Sequence, residues 1–158
     1  MNPGAAYGSA KRWHKDRFAK TAEILAAELD LHIALIGSEA ERSVAEQTAA
    51  QIRRKTAVLN GMTSLETLIG VLAESSLMIT NDSGPMHIAA ALGIPTIAVF
   101  GSTDDRVTGP LGPKTRIVKH PVNCSPCLLR QCPIDHRCMT QITAADVCKA
   151  AQELVSHA

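Results

Sequence analysis

Asp82, Ser83, Gly84 and His87 fall within the stretch TNDSGPMHIAAALGIPTIAVFGSTD (80–104), at a joint between two apolar runs. The first run reads as a strand and the second as a helix, so the joint leaves backbone N–H groups without intrahelical partners. The helix macrodipole adds roughly half an elementary positive charge at that end. Gly84 lets a ligand approach the main chain, Ser83 offers a hydroxyl, and His87 in the first turn can donate from its ring. Together these features describe a seat for an anion such as phosphate. Taken alone, the same residues serve equally as an ordinary helix cap with a surface histidine.

A second stretch, NPGAAYGSAKRW (2–13), is a loop of small residues leading into Lys11, Arg12 and Trp13. Lys11 is a natural point charge for a phosphate oxygen, and by itself equally a solvated lysine. The loop matches neither G-x-x-x-x-G-K-[ST] nor G-x-G-x-x-G, so neither a P-loop nor a dinucleotide fingerprint is present. A third cluster is Cys124, Cys127, Cys132 and Cys138, with His136 inside it and Cys148 further on. The spacing is not a paired C-x-x-C, which leaves three readings open: a structural metal, a disulfide, or free loop thiols. Cys148 sits at an inward helix position and reads as core.

The elements that must carry these residues alternate. Residues 14–29 place Phe18, Ala22, Leu25 and Leu29 on one helical face. LHIALIG (31–37) reads as a buried strand, 39–55 as a surface helix, and TAVLNG (56–61) as a strand. Thr63 and Glu66 have capping-box spacing before a helix with Leu65, Leu68, Ile69 and Leu72 at helical spacing. SLMITN (76–81), TIAVFG (96–101) and TRIVK (115–119) are further strands. Between the first two, Pro85 suits a first helical turn and Gly93 the position just past the helix end. A cysteine-rich loop covers 120–141, and a last helix opens at Thr143 with Asp146 three residues on. Apolar strands alternating with helices predict an α/β domain, a Rossmann-like doubly wound parallel sheet. In such sheets ligands bind at the carboxyl ends of the strands.

The bulk properties agree with one domain over 1–158. Hydrophobic residues make up 46% of the chain and charged residues 20%, enough to build a core, although only 3% are aromatic. A net charge of +1 gives no long-range attraction to nucleic acid. The longest apolar run, 88–100, is interrupted by Gly93 and Pro95 and is too short for a bilayer. No secretory h-region opens the chain, so the cytoplasm is the expected location.

The two loops, with IGSEAE (36–41), LNGMTSLETLIGVLAESSLMITNDSGPMHIAAALGIPTIAVFGSTD (59–104) and ITAADVCKAAQELV (142–155), resemble family 9 glycosyltransferases. The likeness is greatest to the ADP-heptose:lipopolysaccharide heptosyltransferases of type II, and within them to the C-terminal half of a GT-B architecture. That resemblance implies a donor-binding domain for ADP-heptose, with the acceptor-binding N-terminal domain absent. It implies that Lys11 meets the donor phosphates, with Ala6 and Tyr7 close by, and that Glu39 (or its neighbour Glu41) bonds the ribose. Asp82, Ser83, Gly84 and His87 would surround the pyrophosphate and sugar. It further implies inverting transfer of heptose to the lipopolysaccharide inner core, with the base in the missing domain and no cofactor needed. The complete enzyme would work at the cytoplasmic face of the inner membrane, with peripheral membrane contact. His14 and Asp105 stand where the family usually has proline. The rival readings are a non-catalytic module that binds a nucleotide or sugar phosphate, and a metal-binding interaction domain built on the cysteines.

In the family, NPGA directly follows the first strand of the domain, so that strand is expected to be missing here. Its absence would orphan backbone groups on both neighbours, each at about 1 kcal/mol or more. Three outcomes remain open: the sheet closes up, another chain supplies the strand, or the chain is a fragment.

Overall fold

Short parallel strands alternate with helices along the computed structural model, which describes residues 1–156. Strand β1 (Ile33–Leu35) pairs with β2 (Thr56–Val58), and β3 (Met78–Asn81), β4 (Thr96–Phe100) and β5 (Thr115–Lys119) form a second parallel set. Met1 and Asn2 join the two. The Met1 amine donates to the Ala34 carbonyl (2.7 Å), and the Ile36 N–H donates to the Met1 carbonyl (2.9 Å). On the other side the Asn2 N–H donates to Ile79 O (2.9 Å) and the Asn81 N–H to Asn2 O (3.4 Å).

The expected loss of the first strand is therefore refined. Met1–Asn2 hold its place as a stub, and the spatial order is β2-β1-stub-β3-β4-β5. Counting the stub as the first segment, this is the doubly wound order whose chain direction reverses beside the stub. The reversal opens a crevice at the carboxyl ends of the stub and β3, where residues 3–11 and 82–87 follow.

Alternating side chains send the strands' apolar residues to both faces. Ile79, Ile97 and Val99 pack with Phe18 and Leu25 of α1 (Lys15–Glu28) and Val147 and Ala151 of α7 (Ala144–Ser156). Met78 packs with Leu72 of α3 (Leu65–Ala73) and Ala89 of α4 (Gly84–Ala91), while Ala98 and Phe100 meet Met86. With few aromatics available, Trp13 and Phe18 stack edge to face at 5.0 Å under the first layer, and Trp13 Nε1 donates to Ile142 O (3.0 Å).

Several boundaries differ from the sequence expectation. The 39–55 helix is a 3₁₀ turn (Glu39–Glu41) running into α2 (Arg42–Ala49), which stops early because Ile52 turns into the core beside Ala19 and Ile33. The cap of α3 is Ser64, not Thr63: its hydroxyl accepts from the Thr67 N–H (3.2 Å). Short helices α5 (Asp105–Thr108) and α6 (Arg137–Thr140) form in segments read as loop. The Thr143–Asp146 box forms as expected, with Thr143 N donating to Asp146 Oδ2 (2.8 Å) and Asp146 N to Thr143 Oγ1 (3.2 Å). His14 has φ −67°, a backbone that proline would share, and Asp105 sits in the first turn of α5 behind the Asp104 cap. Among the described residues no helix is long and apolar enough to cross a membrane.

Burial pulls the Met1 amine from its ordinary value of 8.0 down to about 5. Between those values the unfolded chain binds the proton and the folded chain does not, so stability rises with pH across the window and levels off above it. Urea melts of the 158-residue chain from pH 5 to 8 should show this rise, and an Nα-acetylated chain should lose the amine's share of the slope.

Candidate functional site

The floor of the crevice is built by Asn81, the last residue of β3 and fully buried. Its Oδ1 accepts from the Trp13 N–H (2.9 Å), and its Nδ2 donates to the carbonyls of Pro3 (2.9 Å) and Gly4 (3.0 Å). One amide thus ties down both ends of the 3–13 loop. That loop would otherwise bury unsatisfied main-chain groups.

Asp82 faces the opposite way and is only 6% exposed. Its Oδ2 accepts from Lys11 Nζ (2.6 Å), Thr103 Oγ1 (2.7 Å) and Thr108 Oγ1 (3.1 Å). Lys11 Nζ also lies 4.9 Å from the centre of the Tyr7 ring, a cation–π distance. Ser83 precedes α4 in extended conformation but does not cap it. Its hydroxyl is engaged by Asn2 Nδ2 (3.0 Å) and Thr80 Oγ1 (3.0 Å). The first turn of α4 therefore has no side-chain cap from Ser83, and Pro85 there has no N–H to satisfy.

A cavity of about 290 Å³ opens on this arrangement. Ala6, Tyr7 and Lys11 line one side of it. Asp82, Ser83, Gly84 and His87 line another, and Gly84 and His87 are exposed into it. Seven of the residues singled out in the sequence thus meet in one place. Glu39 does not. Its carboxylate is exposed, packs over Gly61 and pairs with Arg42 (3.3 Å). Glu41 lines the cavity instead, only 6% exposed, with Oε2 accepting from Ser38 N (2.9 Å) and Ser38 Oγ (2.7 Å). The 3₁₀ turn decides between them: it swings Glu41 back under Ser38 and leaves Glu39 outside. Asn2, Thr103 and Thr108 also belong to the site and were not singled out, since polar residues in loops carry no periodic signal.

The cysteine-rich segment braces this site. Ala10 N donates to Arg130 O (3.0 Å), Tyr7 Oη to Leu128 O (2.9 Å), and His136 Nε2 lies 2.8 Å from Ala10 O. Gly8 is required by close approach, because a Cβ there would overlap the Arg130 carbonyl. Cys124 is exposed, Cys127 and Cys132 are half-buried, and Cys138 and Cys148 are buried, all five as free thiols. Burial first, and then the neighbouring Cys124, Cys127 and Cys132, push the Cys138 thiol up to about 11. Among the described residues no three His, Cys, Asp or Glu side chains converge on a metal position, so the four loop cysteines are neighbours without forming a ready ligand set. Cys148 packs in the core between α1 and α7, as its spacing implied.

Comparison with known proteins places this architecture. Residues 1–137 match the model of glycosyltransferase family 9 (heptosyltransferase). Lipooligosaccharide heptosyltransferase 2 of Campylobacter jejuni subsp. jejuni serotype O:2 is 33% identical over 162 residues, covering 99% of this chain and 50% of that protein. The structure of E. coli ADP-heptose lps heptosyltransferase II superposes with a TM-score of 0.85 at 29% identity, over 99% of this chain and 45% of that one. E. coli heptosyltransferase WaaC with ADP gives a TM-score of 0.77 at 25% identity, over 97% and 43% of the two chains. The chain spans about half the length of these relatives, 50% of the first.

Replacing Asn81 by Ala removes its three buried hydrogen bonds and strands their partners. The expected cost is about 2–4 kcal/mol. A urea melt of Asn81→Ala should show it as a lower midpoint at unchanged slope.

Proposed function

The chain belongs to glycosyltransferase family 9, and from that premise we propose that it is the donor-binding half of an inverting heptosyltransferase. The donor is ADP-heptose and the acceptor the inner core of lipopolysaccharide. The observation that carries this reading is the Lys11–Asp82 pair, 2.6 Å apart, beside the uncapped first turn of α4 and the crevice where the sheet order reverses.

The diphosphate lies over the start of α4, where free main-chain N–H groups and the helix dipole favour negative charge. An ammonium has three donors, and Asp82 takes one, leaving Lys11 able to bind phosphate oxygens while held in position. Thr103 and Thr108 donate to the same Asp82 oxygen, which spreads its charge away from the phosphates. Asp82 therefore acts as the positioner of Lys11 rather than as a base. His87, exposed one turn along, supplies a further donor to the diphosphate or the sugar. Glu41, fixed by Ser38, presents its other oxygen to the ribose hydroxyls.

In the transfer an acceptor hydroxyl oxygen forms a bond to the anomeric carbon of heptose. The bond from that carbon to the diphosphate oxygen breaks, and ADP leaves with the electron pair. The hydroxyl proton passes to a carboxylate base outside these residues. Lys11 and the start of α4 stabilise the charge that builds on the leaving diphosphate.

Calorimetry should show the 158-residue chain binding ADP more tightly than UDP or GDP. Lys11→Ala should weaken ADP by roughly 10- to 100-fold, the loss of a charge-assisted contact. Glu41→Gln should weaken it as well, while Glu39→Gln leaves it unchanged. Equal heats for all three nucleotides, or an indifferent Lys11→Ala, would remove the assignment. The 158-residue chain alone is expected to bind ADP-heptose without transferring it, and measured heptose transfer would overturn that division of labour.

A further inference from the structure

Asn60 follows β2 and is fully buried, yet among the described residues neither atom of its side-chain amide has a hydrogen-bond partner. Its main chain is fixed. The Leu59 N–H donates to Leu35 O (2.8 Å) and the Gly61 N–H to Gly37 O (3.0 Å), so the β1–β2 ladder runs on past both strands. The Asn60 carbonyl accepts from the Arg42 guanidinium (2.7 Å). The residue is thereby held with its amide inside. A buried donor and acceptor left unmade are costly, and an apolar side chain of the same shape would avoid that cost. Such an orphan calls for a reason.

Gly37, with φ +151°, shapes the niche around this amide. A Cβ on Gly37 would lie 2.4 Å from Asn60 Nδ2, 3.2 Å from Glu41 Oε2 and 3.5 Å from Asn2 Oδ1. A bare glycine therefore lets the Asn60 amide and the Glu41 carboxylate face one small space. Asn2 Oδ1 is already engaged by the Gly4 N–H (3.1 Å). Glu41 Oε2 accepts from Ser38 N and Ser38 Oγ, and a carboxylate oxygen here can take a third donor, as Asp82 Oδ2 does. Glu41 lines the cavity, and Asn60 stands behind it.

We propose that Asn60 is a positioning residue for Glu41. Its Nδ2 donates to Oε2 when the carboxylate tilts onto a nucleotide ribose, which fixes Oε1 on the ribose hydroxyls. The inference rests on the nucleotide reading above and extends it to a residue that the ligand does not touch. The amide is unpaired in the free chain and paired in the complex, so its penalty is relieved by binding. A neutral donor suits this task. An ammonium or guanidinium in the niche would pair with Glu41 permanently and draw it away from the ribose, whereas an amide restrains the carboxylate and leaves its charge in place.

The test is calorimetry on the 158-residue chain with ADP and with 2′,3′-dideoxy-ADP, which lacks both ribose hydroxyls. Asn60→Ala should weaken ADP about 3- to 10-fold and leave 2′,3′-dideoxy-ADP unchanged. In a Glu41→Ala background the same substitution should change ADP affinity by less than about twofold, because its effect passes through that carboxylate. Asn60→Leu, which nearly keeps the volume, should bind ADP as weakly as Asn60→Ala and melt, ligand-free, at or above the wild-type temperature. Equal weakening of both nucleotides, an undiminished effect without the Glu41 carboxylate, or a lower melting temperature in both ligand-free variants would each overturn the proposal. A wild type that binds ADP and loses it in Lys11→Ala, beside an indifferent Asn60→Ala, overturns this inference and keeps the nucleotide reading. A wild type that binds no ADP overturns both.

Discussion

The side-chain amide of Asn81 is the contact on which the site depends. It is fully buried, and it supplies the one acceptor and two donors that the main chain of the 3–13 loop lacks where that loop crosses the end of β3. Only an amide offers both kinds of group from one planar end; a carboxylate would accept and never donate, and a hydroxyl could not span Pro3 to Trp13. With the loop held there, Lys11 has a single place to go. Asp82, the residue just past the end of β3, points to the opposite side from Asn81 and meets it.

The Lys11–Asp82 pair is nearly buried, with side chains 12% and 6% exposed. Buried pairs contribute little net stability, because desolvation offsets the attraction. Their value here is positional. Asp82 Oδ2 accepts from three donors, Lys11, Thr103 and Thr108, so the ammonium is held in place beside the start of α4. The cysteine-rich segment contributes from outside: Arg130, Leu128 and His136 clamp the loop at Ala10 and Tyr7. In this structure those contacts give the segment a mechanical task that does not call on its thiols.

The position of the crevice follows from strand polarity. The crevice occupies the carboxyl ends of the stub and β3 and needs only the two residues that carry Asn2 to Ser83.

Much of this was legible in the residues. Alternating apolar runs specified the parallel sheet, Pro85 and Gly93 bounded α4, and DSG with His87 marked the corner on which the cavity opens, because those signals are local. The choice of Glu41 over Glu39 was not legible, since it turns on a 3₁₀ turn that points two identical side chains, two residues apart, in different directions. Nor was the role of Asn2, Thr103 or Thr108, whose partners are distant along the chain. The sequence by itself determined the elements and the chemistry available at their ends, through periodicity, caps and residue type. Tertiary structure alone decided which of those groups meet, because a hydrogen bond between residues 71 positions apart, as from Lys11 to Asp82, depends on how the sheet is wound.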